Sequence, residues 1–187
     1  MISCLIQTAR RGAVFLLIAF ATTAGLHGQS SITSSEGRFA AIFPTATQPE
    51  RSASPIETDV GQIEMITFMA TEGDFASMVA YSDYPIAEIQ SRHVDVMLDS
   101  AREGALRNLN GRLIRQKRIS IDGHPGRSIF FRGKSQGFTI YGRFDYYVVS
   151  SRLYQVGYIT TRQKDVDARK TQAFFASFKL LSQPPSE

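Results

Sequence analysis

The segment 138–150, with the sequence FTIYGRFDYYVVS, constrains the fold more than any other stretch of the chain. In an extended strand, successive side chains point to opposite faces of the sheet. A strand with one face in water would alternate between apolar and polar residues, whereas here both faces are largely apolar. The sequence therefore predicts a central strand that is covered on both sides. One face carries Phe138, Ile140, Phe144, Tyr146 and Val148, and the other carries Tyr141, Tyr147 and Val149 with Arg143 and Asp145 between them.

Short turns between extended segments indicate hairpins. Glu72-Gly73-Asp74 and Gly123-His124-Pro125-Gly126 each join two such segments, and glycine and proline favour tight turns. Strands that are joined by hairpins run antiparallel. We expect a long surface loop at 45–55, which is rich in Thr, Ser, Pro and Ala. The predicted strands are 37–44, 61–71, 75–82, 112–122, 127–132, 138–150 and 153–160.

Two segments have helical periodicity. Apolar residues recur every three or four positions from 85 to 109, with Asp83 available as a cap and Asn110-Gly111 as a stop. A second helix is predicted at 165–178, capped by Asp165. Its predicted inner residues are Val166, Ala173, Phe174 and Phe178. The fold class is therefore α+β: a mainly antiparallel sheet of about six or seven strands with helices packed on both faces, an α-β-α sandwich.

The first residues have the pattern of an export signal. Arg10 and Arg11 precede a fourteen-residue uncharged stretch, 13–26, and small residues follow at positions suited to a signal peptidase. We predict a signal peptide at 1–24, a flexible leader at 25–36, one domain at 37–181 and a tail at 182–187. The protein is then periplasmic or secreted, without a stable membrane span after cleavage. A retained N-terminal membrane anchor is the alternative.

The composition excludes several kinds of chemistry. Cys4, in the signal, is the single cysteine, so the mature chain has no disulfide, thiol nucleophile or cysteine-ligated metal. The net charge is +4, of which Arg10 and Arg11 contribute two. The densest basic stretch, RLIRQKR at 112–118, alternates like an exposed edge strand. A nucleic-acid interface would bring a denser basic stripe, so no nucleic-acid partner is predicted.

Residues 133–137, GKSQG, match the G-x-S-x-G pattern of a hydrolase nucleophile. In an α/β-hydrolase, however, the serine joins a strand to a helix, and the base histidine follows it in the chain. Here strands lie on both sides, and the three histidines, His27, His93 and His124, all precede Ser135. We therefore interpret the motif as a hairpin turn and predict no catalytic residues.

No metal or cofactor site is predicted either. Asp95, Asp99 and Glu103 lie along one helical face, where Arg92, Arg102 and Arg107 can balance them. A solvated helix face is the simpler interpretation. The crowded aromatic residues of the second half are mainly predicted as core. Tyrosine hydroxyls need a polar partner, so Tyr141, Tyr147 and Tyr158 are the candidate ligand-binding residues.

Several stretches resemble those of a group of uncharacterised exported bacterial proteins of the PsbP-like superfamily. The opening GRFAAIFP follows a G-x-F-x-x-x-F-P layout. RISIDGHPGRSIFF, RLYQVGYIT and FFASFKL complete the likeness, which covers about 36–181. The superfamily includes a lumenal subunit of photosystem II and an import factor that binds the GTPase Ran. The resemblance implies an α-β-α sandwich and a role in binding other macromolecules. No partner-binding residue can be matched.

The sequence therefore favours an exported, non-catalytic protein that binds another envelope protein or assists envelope assembly. Two alternatives remain open. One is a domain that binds a small ligand or lipid in a gap between the sheet and a helix. The other is a hydrolase of unrecognised type, for which Ser135 and His124 are the candidate residues.

Overall fold

The computed structural model describes residues 28–58, 61–87 and 93–182. The predicted signal, 1–24, and most of the predicted tail lie outside these ranges. Helix α1 spans Val94–Asn108 and α2 spans Arg169–Ser177, with a short 3₁₀ helix at Gln163–Asp167. Neither helix of the described ranges has the length and apolar content that a membrane crossing requires. The strands are β1 Ser30–Ser34, β2 Phe39–Phe43, β3 Glu50–Thr58, β4 Gly61–Glu72, β5 Phe75–Asp83, β6 Arg112–Ile121, β7 His124–Ser135, β8 Phe138–Val149, β9 Arg152–Thr160 and β10 Lys179–Leu180.

Seven strands form one antiparallel sheet in the order β3-β4-β5-β9-β8-β7-β6. Strand β8 lies inside this sheet, bonded to β7 on one side and to β9 on the other. Tyr146 is fully buried on one face of β8 and Tyr147 is buried on the other. The α+β class, the mainly antiparallel sheet and the interior position of this strand are confirmed.

Helix α1 packs over β7 and β8 on one face of the large sheet. Its Met97 and Leu98 join the apolar cluster that contains Phe131 and Phe144. These two rings stack with centroids 5.2 Å apart, and each lies over a glycine on the next strand. At one of these glycines, Gly142, a Cβ would lie 2.5 Å from the Phe131 ring. Glycine is therefore needed for this packing.

The other face of the large sheet is covered by a second sheet, ordered β1-β2-β10, together with α2. Phe39 and Phe43 of β2 point into the core, where Phe43 meets Phe174 and Phe39 meets Phe178, with ring centroids 5.2 and 5.8 Å apart. The predicted α-β-α sandwich, in which helices alone cover both faces, is therefore wrong. A three-stranded sheet supplies much of the second cover, because β2 alternates apolar residues inward and pairs with strands from both ends of the domain.

The predicted hairpins are present, but the predicted turn Gly123-His124-Pro125-Gly126 is misplaced: β7 begins at His124, and Asp122 and Gly123 form the turn with positive φ. Glu72 lies opposite Phe75 across the β4–β5 turn, and Ser135 lies opposite Phe138 across the β7–β8 turn. In the latter turn both central residues, Gln136 and Gly137, have positive φ, at 49° and 83°. Two positive φ values are characteristic of a type I′ turn, whose twist matches that of the strands. The interpretation of GKSQG as a hairpin is confirmed.

Two strands form where a leader and a loop were expected. Ser30–Ser34, inside the expected leader 25–36, forms β1 by pairing along the whole of β2. Glu50–Thr58 forms edge strand β3, whose side chains are almost all exposed. A strand that buries neither face has no apolar alternation, so its composition resembles that of a loop.

The helix ends also differ from the predictions. The side chain of His93 caps α1 by accepting a hydrogen bond from the Asp95 backbone N–H at 3.3 Å. Asp83, the predicted cap, ends β5 and binds Arg152 at 2.6 Å. Residues 88–92 of the predicted helix lie outside the described ranges. The second helix begins later than predicted, at Arg169, and Asp165 lies in the 3₁₀ helix instead of capping it.

Two expected core residues are exposed. Ala173 lies on the solvent side of α2, where Phe175 takes a buried position instead. Phe138, at the tip of the β7–β8 hairpin, is 66% exposed.

Candidate functional site

The three candidate tyrosines occupy different environments. Tyr141 is half-buried and lines a cavity of about 80 Å³ beside the 3₁₀ helix. Tyr147 stacks on Phe178 at 5.9 Å, and the fully buried Tyr158 stacks on Phe75 at 5.2 Å. Ligand pockets have volumes of roughly 300 Å³ or more. The small cavity holds no drug-sized ligand, and the structure does not bring the three hydroxyls to one site.

Burial keeps the hydroxyls of Tyr147 and Tyr158 protonated. Burial raises the pKa of Tyr158 to about 12. Burial, followed by the nearby Asp145 carboxylate, also raises the pKa of Tyr147 well above its ordinary value. Both groups are therefore neutral hydroxyls near pH 7 and do not act as phenolate bases or nucleophiles.

The serine of GKSQG is far from both described histidines. His124 and Ser135 are the first and last residues of β7. A twelve-residue strand separates its ends by about 36 Å. His93 caps the start of α1, whereas the Leu109 carbonyl at its other end accepts a hydrogen bond from Lys134 N–H at 2.9 Å. About 24 Å of helix therefore separates His93 from the neighbourhood of Ser135.

The carboxylates of α1 bind arginines. Arg127 of β7, only 7% exposed, binds Asp95 at 2.8 Å and also pairs with Asp99. Arg102 binds Asp99 at 2.8 Å, and Arg118 of β6 binds Asp95 at 3.2 Å. Within the described ranges, no group of three His, Cys, Asp or Glu residues has the geometry to hold a metal ion. The cluster instead holds α1 against β6 and β7.

The sequence predicted the ion pair within the helix but not the ion pairs between the helix and the strands. It paired the carboxylates with Arg92, Arg102 and Arg107 of the same helix, and Arg102 does make such a pair. Arg92 lies outside the described residues, and Arg107 has no ion-pair partner among those that the structure describes. Arg118 and Arg127 come from strands, so their approach to the helix depends on the tertiary fold.

A groove of about 450 Å³ lies between α1 and the half of the large sheet that α1 leaves uncovered. We call it the α1 groove. Its floor is formed by strands β4, β5 and β9, its walls by α1 and the end of edge strand β3. Lining residues are Ile56, Glu57, Thr58, Met65, Ala80, Tyr81, Ser82, Tyr84, Ser100, Ala101, Glu103, Gly104, Ala105, Arg107, Asn108, Leu153 and Gln155.

Small side chains create the groove. Ala101, Gly104 and Ala105 lie three and four positions apart, so they share the side of α1 that faces the groove. A Cβ added at Gly104 would meet no atom nearer than Arg107 Nη2, at 4.0 Å. On the floor, the side chains of Ala80 and Ser82 are also small. The space between helix and sheet therefore remains open.

Charged side chains lie at the rim of the groove, and apolar side chains lie on its floor. Glu57, Glu103 and Arg107 are exposed, whereas Ala80 and Leu153 are buried. Arg107 is available to a bound carboxylate, since none of the described residues forms an ion pair with it. Sequence reasoning missed this site. The sequence pattern that indicates the groove is the spacing of Ala101, Gly104 and Ala105. This pattern alone resembles the inner face of an ordinary helix, because the sequence does not show that small residues of the sheet lie opposite it.

The chain resembles solved structures only distantly. No protein-family profile and no curated protein sequence matches it. Cyanobacterial PsbP (CyanoP) from Synechocystis is 12% identical, with a TM-score of 0.51 over 87% of this chain and 98% of that one. A Pseudomonas aeruginosa protein of unknown function, named as a candidate regulator, is 14% identical, with a TM-score of 0.48 over 84% of this chain and 99% of its own.

At this level of identity the likeness concerns the fold and not the activity. It agrees with the sequence motifs, which lie at turns and in the core. The chain has a PsbP-like fold.

Proposed function

We propose that this protein is an exported, non-catalytic binding protein that holds a peptide segment of another envelope protein in the α1 groove. The observation that carries the proposal is the groove itself, with its small-residue wall on α1 and its edge strand, β3, on the other side. A groove between a helix and the face of a sheet offers a peptide apolar contacts on its floor and charged groups at its rim.

The lining supports a peptide as the occupant. Half-buried Ile56 and Met65 offer apolar contact, and exposed Glu57, Glu103 and Arg107 offer charge at the rim. A peptide presents both kinds of group along its length. Export is supported by the N-terminal pattern, a basic region followed by the uncharged stretch 13–26. The absence of catalysis is supported by the separation of Ser135 from His93 and His124 among the described residues.

Site-specific photo-crosslinking in the envelope of a producing cell tests the proposal. A photoreactive residue at Glu103, on the groove rim, is expected to capture one specific protein. The same residue at Lys179, in β10, is the matched control and is expected not to capture it. Gly104→Phe places a ring in the groove and is expected to abolish the crosslink, whereas Gly104→Ala retains it. A crosslink from Glu103 that survives Gly104→Phe would contradict the proposal.

A small ligand or lipid is the second candidate, and the volume of the groove favours it. About 450 Å³ lies within the usual range of ligand pockets. Mass spectrometry of the gently purified protein distinguishes the two occupants. A molecule that co-purifies with the unaltered chain and with Gly104→Ala, but not with Gly104→Phe, identifies a ligand pocket instead of a peptide groove.

A further inference from the structure

The β6–β7 hairpin is strongly basic. Residues 112–135 contain seven Arg and Lys residues and one Asp. In two places an arginine lies directly opposite another across the pair of strands: Arg118 opposite Arg127, and Arg112 opposite Arg132. Like charges in this position repel each other unless an anion lies between them.

The two arginine pairs differ in how their charge is compensated. Asp95 bridges the first pair, at 3.2 Å from Arg118 and 2.8 Å from Arg127. Arg112 and Arg132 are exposed, and no carboxylate in the described part of the chain binds either. On the same face of the hairpin, Arg115 is neutralised by Asp167 at 2.8 Å. The second pair therefore has the geometry of the first without its internal anion.

Further cationic and apolar groups lie at the same end of the molecule. Lys134 follows Arg132 by two residues on the same face of β7, and Tyr141 lies opposite Arg132 on β8. The neighbouring hairpin tip exposes Phe138, and the irregular pairing in β6 at Leu113 and Arg115 leaves Ile114 56% exposed. We call Arg112, Ile114, Arg132, Lys134 and Phe138 the basic end.

We propose that the basic end docks on an anionic phospholipid surface. Arginine guanidinium groups bind phosphate in a bidentate manner, so a lipid headgroup can take the place that Asp95 takes in the other pair. Protruding aromatic and aliphatic residues beside cations are characteristic of peripheral membrane contact, in which apolar groups enter the headgroup region. An acidic protein surface would satisfy the charges but would leave Phe138 and Ile114 without an apolar environment.

This surface is separate from the α1 groove. The groove lies over β4, β5 and β9 and is bounded by β3, whereas the basic end is formed by β6, β7 and the start of β8. Membrane docking and occupation of the groove can therefore occur together, and each can be tested without the other.

Vesicle co-sedimentation measures the charge contribution. The full chain is compared on vesicles of phosphatidylcholine alone and of phosphatidylcholine with phosphatidylglycerol. Arg112→Gln with Arg132→Gln is expected to lower binding to the anionic vesicles roughly thirtyfold, from the usual attraction of two surface cations. The control, Lys117→Gln with Lys179→Gln, removes the same charge elsewhere and is expected to change binding less than about threefold. Salt is expected to weaken binding by screening.

A fluorescent reporter follows the basic end independently of the N-terminal segment. The chain contains no tryptophan, so Phe138→Trp introduces a single one. Its emission is expected to shift to shorter wavelength with anionic vesicles and not with neutral ones. Ile42→Trp, at a residue 44% exposed in β2, is the control and is expected not to shift.

Two results would overturn the proposal. One is an unshifted Phe138→Trp emission on anionic vesicles. The other is a shift that persists when Arg112 and Arg132 are both glutamine. A protein that binds soluble polyglutamate but not the anionic vesicles would also reject the lipid surface and would identify an acidic protein as the partner.

Discussion

Replacing Gly104 with alanine is expected to stabilise the protein by about 1 kcal/mol. Gly104 lies inside α1, between the ion-paired Asp99 and the end of the helix at Asn108. Glycine loses more backbone freedom than alanine when a helix forms, which is the source of this free energy. Stabilisation follows only if the added methyl group meets no other atom, and its nearest neighbour is Arg107 Nη2, at 4.0 Å.

Urea unfolding measures the effect. The midpoint is expected to rise with an unchanged slope, since the surface exposed on unfolding hardly changes. In thermal unfolding, 1 kcal/mol corresponds to about 2 to 4 °C for a domain of this size. Gly142→Ala is the matched control. Its Cβ would lie 2.5 Å from the Phe131 ring and 2.8 Å from the Tyr158 carbonyl oxygen, so a loss of several kcal/mol is expected.

The comparison of the two variants decides whether the α1 groove is open. If Gly104→Ala lowers the urea midpoint, an atom already occupies the space beside α1 and the groove is not there. If Gly142→Ala is tolerated, the ring packing over the sheet is looser than the structure indicates. Either result would refute the reasoning.

Three further predictions concern the charge cluster and the buried tyrosines. Arg127→Met is expected to destabilise the protein by about 3 kcal/mol, because Asp95 and Asp99 lose their buried partner. The exposed Arg118→Met is expected to cost less than about 1 kcal/mol, and equal losses in urea unfolding would contradict this assignment. Tyr146→Phe is expected to leave the free energy of unfolding unchanged or to raise it, because the buried Tyr146 hydroxyl has no hydrogen-bond partner among the described residues; a loss of more than about 1 kcal/mol would reveal a missing partner. Burial raises the pKa of Tyr81 and of Tyr158 to about 12, above the value near 10 of an unfolded tyrosine. Their contribution to stability is complete below pH 10 and is lost as the pH rises through 12. Urea midpoints that stay constant across that interval would contradict it.

Elements that bury one or both faces could be predicted from the sequence. The two apolar faces of 138–150 predicted the interior position of β8, and GKSQG was recognised as a turn because strands lie on both sides of it. Strand β3 could not be recognised because almost all of its side chains are exposed, and β1 because its pairing with β2 lies in the backbone. Local pattern does not encode such long-range pairing.

The candidate sites were less predictable for the same reason. The α1 groove depends on small residues on two separate elements, Gly104 on the helix and Ala80 on the sheet. The tyrosines were chosen because hydroxyls need polar partners, but Tyr147 and Tyr158 are held mainly by ring stacking. The basic stretch at 112–118 was correctly assigned to an edge strand. The strand register, which the sequence does not show, places Arg112 opposite Arg132 and is the basis for the proposed basic end.

The small sheet has a consequence for when the molecule becomes folded. Its middle strand, β2, pairs with β1 at the start of the domain and with β10 at the end, where Lys179 lies opposite Ala40. In a chain that emerges gradually from a ribosome, residues 39–178 must all be released before Phe178 can reach Phe39 and Tyr147. The small sheet therefore closes last, after every strand of the large sheet has been synthesised.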